Sequence, residues 1–296
     1  MFARKQKMDK DPYYIGHGFF DVILKEIGFH RTSRKYLGKK EFEMLRQYYA
    51  YWMKERNQPY FRHFYSQRLK TLITHVTSLT SPIFMDCGCG LGSESIICGL
   101  LGARVVGIDL DAERLTVAKK RLGYYRDNYG LSQSVTFLAQ NISTHSPNQK
   151  ADIAFAREFM SHVYSVEAFL LNLSKCLRPN GRLIISDSNP INPYVSFNAW
   201  LKHRKRLFTY VPEPGTNKNI CYALERLFSP HYLRRALKEF GFVVESTNYY
   251  GFVGPQVPIF GFIKDLENRQ IHLFNRLGAT FEIEAVNRMG GISAQD

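Results

Sequence analysis

The run "PIFMDCGCGLGSESIICGLL", residues 82–101, constrains the fold most. It begins with a short apolar stretch ending in Asp86, which reads as a buried strand. Glycines at 88, 90 and 92 follow, and then an apolar segment at helical spacing. A glycine turn between strand and helix bares the backbone and aims the N–H groups of the helix start at whatever lies there. A second strand, "ARVVGIDLD" (103–111), carries Asp109, 17 residues past Gly92. An acid at that place suits ribose hydroxyls. In open parallel sheets, ligands gather at the carboxyl ends of the strands. The pattern points to a nucleoside-containing ligand.

The same rhythm continues along the chain. Helix 112–130, strand 134–142, strand 151–158, helix 165–177, the turn "RPNG" (178–181) and strand 182–188 alternate. Helix 229–241 has Ser229 as its cap and Pro230 at its first position; strand 242–250 follows, and "ATFEIEAVNR" (279–288) reads as a last strand. Such alternation argues for an α/β fold with a parallel sheet and helices on both faces. Residues 251–262 read as a Gly/Pro loop, with a further helix near 264–277. Ahead of the first strand, residues 1–40, polar, basic and aromatic with Gly16, Gly18, Gly28 and Gly38, read as irregular with short helical pieces. Segments 41–56 and 60–78 read as amphipathic helices.

The glycine turn admits competing uses. Cys87 and Cys89 form a C-x-C pair with no second pair and no nearby histidine, a poor zinc set. No metal is expected. The five cysteines include no C-x-x-C pair, which fits reduced thiols and a cytoplasmic setting. A dinucleotide loop, G-x-G-x-x-G, needs glycine or alanine where Ser93 stands, and Gly92 comes one residue early.

With these motifs together, the chain resembles the class I S-adenosylmethionine-dependent methyltransferases, in particular their small-molecule, type 11 group. "MDCGCGLG", "VVGIDLD", "LAQNIS", "LRPNGRLIISD" and "FSPHYLRRALKEFGFVVE" resemble that family's motifs in order. The resemblance covers roughly residues 80–187 and 228–250. It implies a Rossmann-like seven-stranded, mostly parallel sheet whose last strand is antiparallel. It also implies a methyltransferase domain over 79–296, with an N-terminal helical cap over 1–78 and a lid insertion over 189–228.

The resemblance further implies S-adenosylmethionine as cofactor and assigns roles to it. Gly88, Cys89 and Gly90 would offer backbone to its methionine part, and Asp86 would hold the methionine end. Asp109 would accept from the ribose hydroxyls, and Leu110 would pack on the adenine. Asn141 stands where the family usually has aspartate; its amide oxygen would meet the adenine amino group. Ile142 would cover the ring. Arg157, in "AREFMSHVYS" (156–165), falls where the family places cofactor and substrate contacts.

Methyl transfer asks mainly for alignment and exclusion of water. An acceptor that must lose a proton also needs a base. His162 and Glu158, four apart and so on one face of a helical turn, are candidates. Asp187, at the end of the fifth strand, is another. The Asn-Pro pairs of "SDSNPINPY" (186–194) follow the fifth strand rather than the fourth, and read as a rigid loop opening the insertion.

The charge, Lys+Arg 40 against Asp+Glu 26, gives a net +14 and favours acidic partners. Residues 197–211, "FNAWLKHRKRLFTYV", read as one basic amphipathic helix. Its apolar stripe is expected to pack as a lid, and the alternatives for this helix are contact with an anionic membrane or with nucleic acid. No apolar run reaches the length of a transmembrane helix. The expectation is a cytoplasmic enzyme, peripheral at most to a membrane, acting on a small or lipid-like acceptor between the N-terminal helices and the insertion. A tRNA or rRNA methyltransferase is the rival among enzymes, disfavoured because the basic residues are scattered. A scaffold that keeps the fold without catalysis is the rival outside them. The sequence leaves the oligomeric state open.

Overall fold

A computed structural model of the chain describes residues 11–203, 207–224, 226–251 and 275–289. The chain divides into two compact units, Met1–Ala139 and Gln140–Asp296. The seven strands of the main sheet run in the order β3 (Val135–Ala139), β2 (Arg104–Asp109), β1 (Ile83–Cys87), β4 (Ala151–Arg157), β5 (Leu177–Ser188), β9 (Thr280–Asn287) and β8 (Phe242–Tyr250); β6 (Phe208–Pro212) and β7 (Asn219–Ala223) form a separate hairpin.

In the first unit, α1 (Pro12–Thr32) is a single long helix where the sequence suggested irregular structure. Asp11 caps it, accepting from the Tyr13 N–H at 2.8 Å, and Pro12 sits at the start, where it has no hydrogen bond to lose. Its glycines misled because one of them serves packing. A Cβ at Gly16 would lie 3.1 Å from Ser66 Cα, so the bare glycine lets α1 approach α3 (Gln58–Ser78) closely. Phe19, Phe20 and Ile23 of α1 and Leu69, Leu72 and Ile73 of α3 are fully buried. Helix α2 (Lys39–Tyr48) stops well short of residue 56. Turns follow, in which Met53 N–H bonds Tyr49 O, and then a short 3-10 segment, Glu55–Asn57.

Strands β1 (Ile83–Cys87), β2 (Arg104–Asp109) and β3 (Val135–Ala139) are parallel. In register, Cys87 pairs with Ile108 and Asp109 with Ala139. Helices α4 (Ser93–Leu100) and α5 (Ala112–Tyr129) connect them. Strand β3 ends three residues before the expected boundary, so Asn141 and Ile142 lie in the turn beyond it.

In the second unit, β4 (Ala151–Arg157) runs parallel to β5 (Leu177–Ser188). Between them lies α6 (Val166–Cys176), capped by the Ser165 hydroxyl. Strand β9 (Thr280–Asn287) is antiparallel to both β5 and β8 (Phe242–Tyr250), as the resemblance implied. Helix α8 (Pro230–Glu239) begins with Ser229 accepting from Tyr232 N–H.

The 189–228 segment departs from the sequence reading. Helix α7 covers Pro193–His203 only, and Phe208–Pro212 is strand β6, paired antiparallel with β7 (Asn219–Ala223). One helix over 197–211 is therefore incorrect. β-branched and aromatic Phe208, Thr209, Tyr210 and Val211 alternate in exposure along β6, the period of a strand. Phe197 and Trp200 of α7 and Tyr210 of β6 are exposed, with Trp200 at 62%. The expected Gly/Pro loop 251–262 and most of the helix near 264–277 lie outside the described residues. Residues 275–277 form a 3-10 turn. Among the described residues, no helix is long and apolar enough to cross a membrane.

Candidate active site

The glycine turn is held at both ends by backbone bonds. Gly88 and Cys89 N–H groups both donate to Ile108 O, at 2.8 and 3.0 Å, and Gly92 N–H donates to Cys89 O at 2.8 Å. Gly88, Gly90 and Gly92 have φ of 75°, 52° and 78°, the left-handed region where a side chain is strained. The last two serve different ends. A Cβ at Gly92 would strike the Phe137 ring at 2.6 Å, so this glycine makes room for packing. Among the described residues, a Cβ at Gly90 would meet nothing nearer than the Tyr48 hydroxyl at 3.8 Å, so this backbone has room for a ligand.

Asp109 braces the turn. Its Oδ2 accepts from the Gly90 N–H at 2.8 Å and its Oδ1 from the Asp111 N–H at 2.9 Å. Leu110, next to it, is half-buried. Asp86 is buried at the end of β1, where its Oδ2 accepts from the Ser95 hydroxyl at 2.7 Å. Cys87, Cys89 and Cys98 are buried free thiols. Burial, helped by the nearby charge of Asp86, pushes the Cys89 and Cys98 thiols well above their ordinary range, so both stay protonated. Cys89 therefore presents a neutral thiol, not a thiolate.

The remaining candidates belong to the second unit. Asn141 closes its own turn: Oδ1 accepts from Ser143 N–H at 3.0 Å. Its Nδ2 donates to Glu213 Oε1 at 3.2 Å, in the turn of the β6–β7 hairpin. Ile142 is buried, and Asn172 fixes its carbonyl at 2.7 Å.

Arg157 ends β4 half-buried. Glu158, exposed, takes a φ of 49° while its N–H continues the ladder to Ser186 O at 2.7 Å. This left-handed residue breaks the chain direction before the 3-10 turn Met160–His162. Glu158 and His162 thus do not share a helical face, contrary to the spacing argument. Asp187 is buried and caps that turn, its Oδ2 accepting from Ser161 N–H at 2.9 Å and its Oδ1 from Ser188 N–H at 2.7 Å.

The His162 ring stacks on Tyr222, centroids 5.1 Å apart, with Nδ1 3.2 Å from Ala223 O. A carbonyl only accepts, so Nδ1 carries the proton in this arrangement and the Nε2 lone pair of the neutral ring is left for a proton. Arg226 locks the same turn: its N–H bonds Ser161 O at 2.8 Å, and Nη2 donates to Val163 O and Tyr164 O. The hairpin partners Tyr222 and Ala223, with Arg226, were not legible as neighbours of the His162 turn. They reach the turn only through the folding of the insertion.

A methyltransferase-domain family model matches residues 53–247, well over half of the chain. The chain belongs to the S-adenosylmethionine-dependent class I methyltransferases. It is 31% identical over 124 residues to phosphoethanolamine N-methyltransferase 1 of Arabidopsis thaliana, covering 40% of this chain and 24% of that one. It is 27% identical over 173 residues to the ubiquinone biosynthesis O-methyltransferase of Rhodopseudomonas palustris (strain HaA2), covering 58% of this chain and 63% of that one. The matches thus span about a quarter of the first relative's length and just under two thirds of the second's. Magnesium protoporphyrin IX methyltransferase from Synechocystis PCC 6803, solved with bound SAH, shares the fold. The two are 19% identical, with a TM-score of 0.55 over 86% of this chain and 97% of that one.

The residues of the first unit fit the family's cofactor. Gly90 offers bare backbone with room in front of it, and the Asp109 carboxylate is fixed beside it. A carboxylate has about four lone-pair sites, so the two backbone bonds to Asp109 leave capacity for hydroxyl donors.

Proposed function

We propose that the chain methylates a small-molecule or lipid-like acceptor, with Asp86, Gly88, Cys89, Gly90, Asp109 and Leu110 forming the cofactor side and Asn141, Ile142 and Arg157 adding contacts. The observation that carries this reading is the open backbone at Gly90 beside the braced Asp109. S-adenosylmethionine supplies an activated methyl group on a sulfonium. The protein's share is to orient the acceptor, exclude water and take the acceptor's proton where one must leave. His162 Nε2 is suited to that proton, since Nδ1 is committed to Ala223 O. Of the two relatives, one is by name a phosphoethanolamine N-methyltransferase and the other an O-methyltransferase of ubiquinone biosynthesis, which supports a small-molecule acceptor. We assign the 1–78 helices the role of a cap and the 189–228 insertion that of a lid. Tyr48, over Gly90, is the cap's contribution to the glycine turn.

The exposed Phe197, Trp200 and Tyr210 favour one addition, peripheral contact with an anionic membrane through the insertion. The surrounding sequence, "LKHRKR" (201–206), supplies the complementary charge.

The test is transfer from S-adenosylmethionine labelled in its methyl group. Purified protein would be offered phenolic acceptors, phosphorylated amines, extracted lipids and tRNA. Label in a small or lipid-soluble product supports the reading; label in tRNA alone overturns it. Sedimentation with anionic vesicles across a salt series tests the membrane contact separately. Recovery only in the vesicle-free supernatant at low salt rules it out.

A further inference from the structure

Helix α1 lies outside the segment that the family model matches, yet one of its residues reaches the glycine turn through a single intermediary. Glu26 of α1 and Arg121 of α5 are both fully buried. They pair bidentately: Arg121 Nε donates to Glu26 Oε1 at 2.8 Å and Nη2 to Oε2 at 2.7 Å. The Tyr125 hydroxyl adds a third donor to Glu26, at 2.7 Å. The remaining terminal nitrogen of Arg121, Nη1, turns the other way. It donates to the backbone carbonyl of Leu91 at 2.5 Å and to the Ser93 hydroxyl at 3.0 Å. Ser93 in turn bonds the hydroxyl of Tyr49.

Stability alone does not account for such a pair. Burying two charges costs about what their attraction returns, and apolar replacements are often as stable. Direction is what a guanidinium supplies, because its donors are fixed in one plane. Here one edge of the plane is set by Glu26 and the other meets Leu91 O. Leu91 stands between two left-handed glycines, where peptide orientation is least restrained by the chain itself. Gly90 is therefore restrained from both sides. Its own N–H is held by Asp109, and the carbonyl of the next residue is held by Arg121.

We propose that Glu26 and Arg121 are positioning residues for the cofactor: the buried pair sets the peptide orientation of the glycine turn and so makes helix α1 part of the S-adenosylmethionine site. The inference rests on the glycine turn being that site. It predicts that cofactor affinity depends on a carboxylate 64 residues upstream of Gly90 that does not touch the ligand.

The experiment uses the full chain and S-adenosylhomocysteine as probe, by calorimetry at a temperature where each variant is folded. Glu26→Gln keeps the side chain's size and leaves Arg121 in place; Arg121→Met removes the donors. Each should raise the dissociation constant roughly 3- to 30-fold, the usual span for coupling through an intermediary. The double variant should be no worse than the more affected single one, because both break the same link. Arg121→Lys should recover thermal stability better than affinity, since an ammonium keeps the charge but not the plane. Should Arg121→Met fail to fold, Glu26→Gln and Ser93→Ala carry the same prediction. Wild-type affinity in folded Glu26→Gln, or full recovery of affinity by Arg121→Lys, overturns the positioning role while leaving the cofactor site intact. Absence of binding by the wild-type protein itself would overturn the site reading and the inference together.

Discussion

The carboxylate of Asp109 accepts a hydrogen bond from the backbone N–H of Gly90 at 2.8 Å, so the acid at the end of β2 and the open glycine after β1 form one unit. Asp109 thus has a task before any ligand arrives. Asp109→Ala removes a brace of the turn together with the acceptor that we propose for the ribose hydroxyls. A hydrogen bond to a charged group is worth about 1.5–3 kcal/mol, so cofactor affinity should fall at least tenfold. Calorimetric titration with S-adenosylhomocysteine checks this. An unchanged dissociation constant would remove Asp109 from the site.

Gly90 and Gly92 should respond differently to the same change. Gly92→Ala forces a methyl into the Phe137 ring at 2.6 Å and should cost about 1–3 kcal/mol of stability, as overpacking does. Among the described residues the Cβ of Gly90→Val meets no such neighbour, the nearest atom being the Tyr48 hydroxyl at 3.8 Å. Both positions carry the strain of a positive φ, so Gly90→Val, lacking the ring clash, should fold with the smaller loss and fail to bind cofactor. Paired melting curves and binding isotherms separate the two. Equal loss of stability at both sites would mean that Gly90 is a packing glycine as well.

Much of this was legible because it depends on local sequence. The strand–glycine turn–helix unit, the acid at Asp109 and the Ser229-Pro230 helix start all follow from a few adjacent residues. What was missed depends on distant partners. Gly16 reads as a helix breaker until Ser66 is packed against it. The insertion reads as a helix over 197–211 because Phe197, Trp200 and Leu207 fit a period of 3.6, but the pairing of Tyr210 with Cys221 makes its second half a strand. Glu26 and Arg121 left a trace that could have been read. Each is a charge on an otherwise apolar helix face, Glu26 among Val22, Ile23 and Ile27, and Arg121 among Ala118, Leu122 and Tyr125. Two such charges of opposite sign suggest each other.

His30 should make the fold sensitive to mild acid. Burial holds its pKa below the ordinary 6.5, and Arg121 and Arg34 push the same way, against the opposing pull of Glu26. Neither ring nitrogen has a hydrogen-bond partner among the described residues. The folded state therefore keeps the ring neutral while the unfolded chain takes up a proton as pH falls through 6.5. Stability contributed by the neutral ring is complete above that value and declines below it, until the folded-state pKa is passed. His17 and His145, also lowered mainly by burial, add to the slope. Urea midpoints between about pH 7.5 and 5.5 should fall in the wild type and fall less steeply in His30→Phe. Parallel slopes would show that His30 does not titrate on unfolding.

The five thiols should separate by access. Cys87, Cys89, Cys98 and Cys176 are buried, and burial raises the last three, Cys176 to about 11. Cys221, in β7, is half-exposed. Iodoacetamide on the native protein should label Cys221 first and reach the others only after denaturation, since the thiolate is the reactive form. Peptide mass mapping reads the order. Early labelling of Cys89 would mean that the glycine turn opens in solution.

His162 and Asp187, both candidate bases from the sequence, should part company. Asp187 caps the turn that carries His162, accepting from Ser161 and Ser188 N–H groups, so Asp187→Asn exchanges an acceptor for a donor on one side. That variant should lose stability, about 1–3 kcal/mol for a buried N–H left without its partner. His162 is only half-buried, and its ring is set by Tyr222 and by Ala223 O rather than by a carboxylate. His162→Ala should fold and should bind S-adenosylhomocysteine as the wild type does. With an acceptor that must lose a proton, its turnover should fall roughly 10²-fold, the scale of a missing general base. An acceptor that reacts without losing a proton should be methylated at nearly the wild-type rate by the same variant, which distinguishes lost proton transfer from a displaced turn. Full turnover of the proton-losing acceptor by His162→Ala would leave the ring a packing element against the hairpin. Asp187 would then return as the base, its stability role notwithstanding.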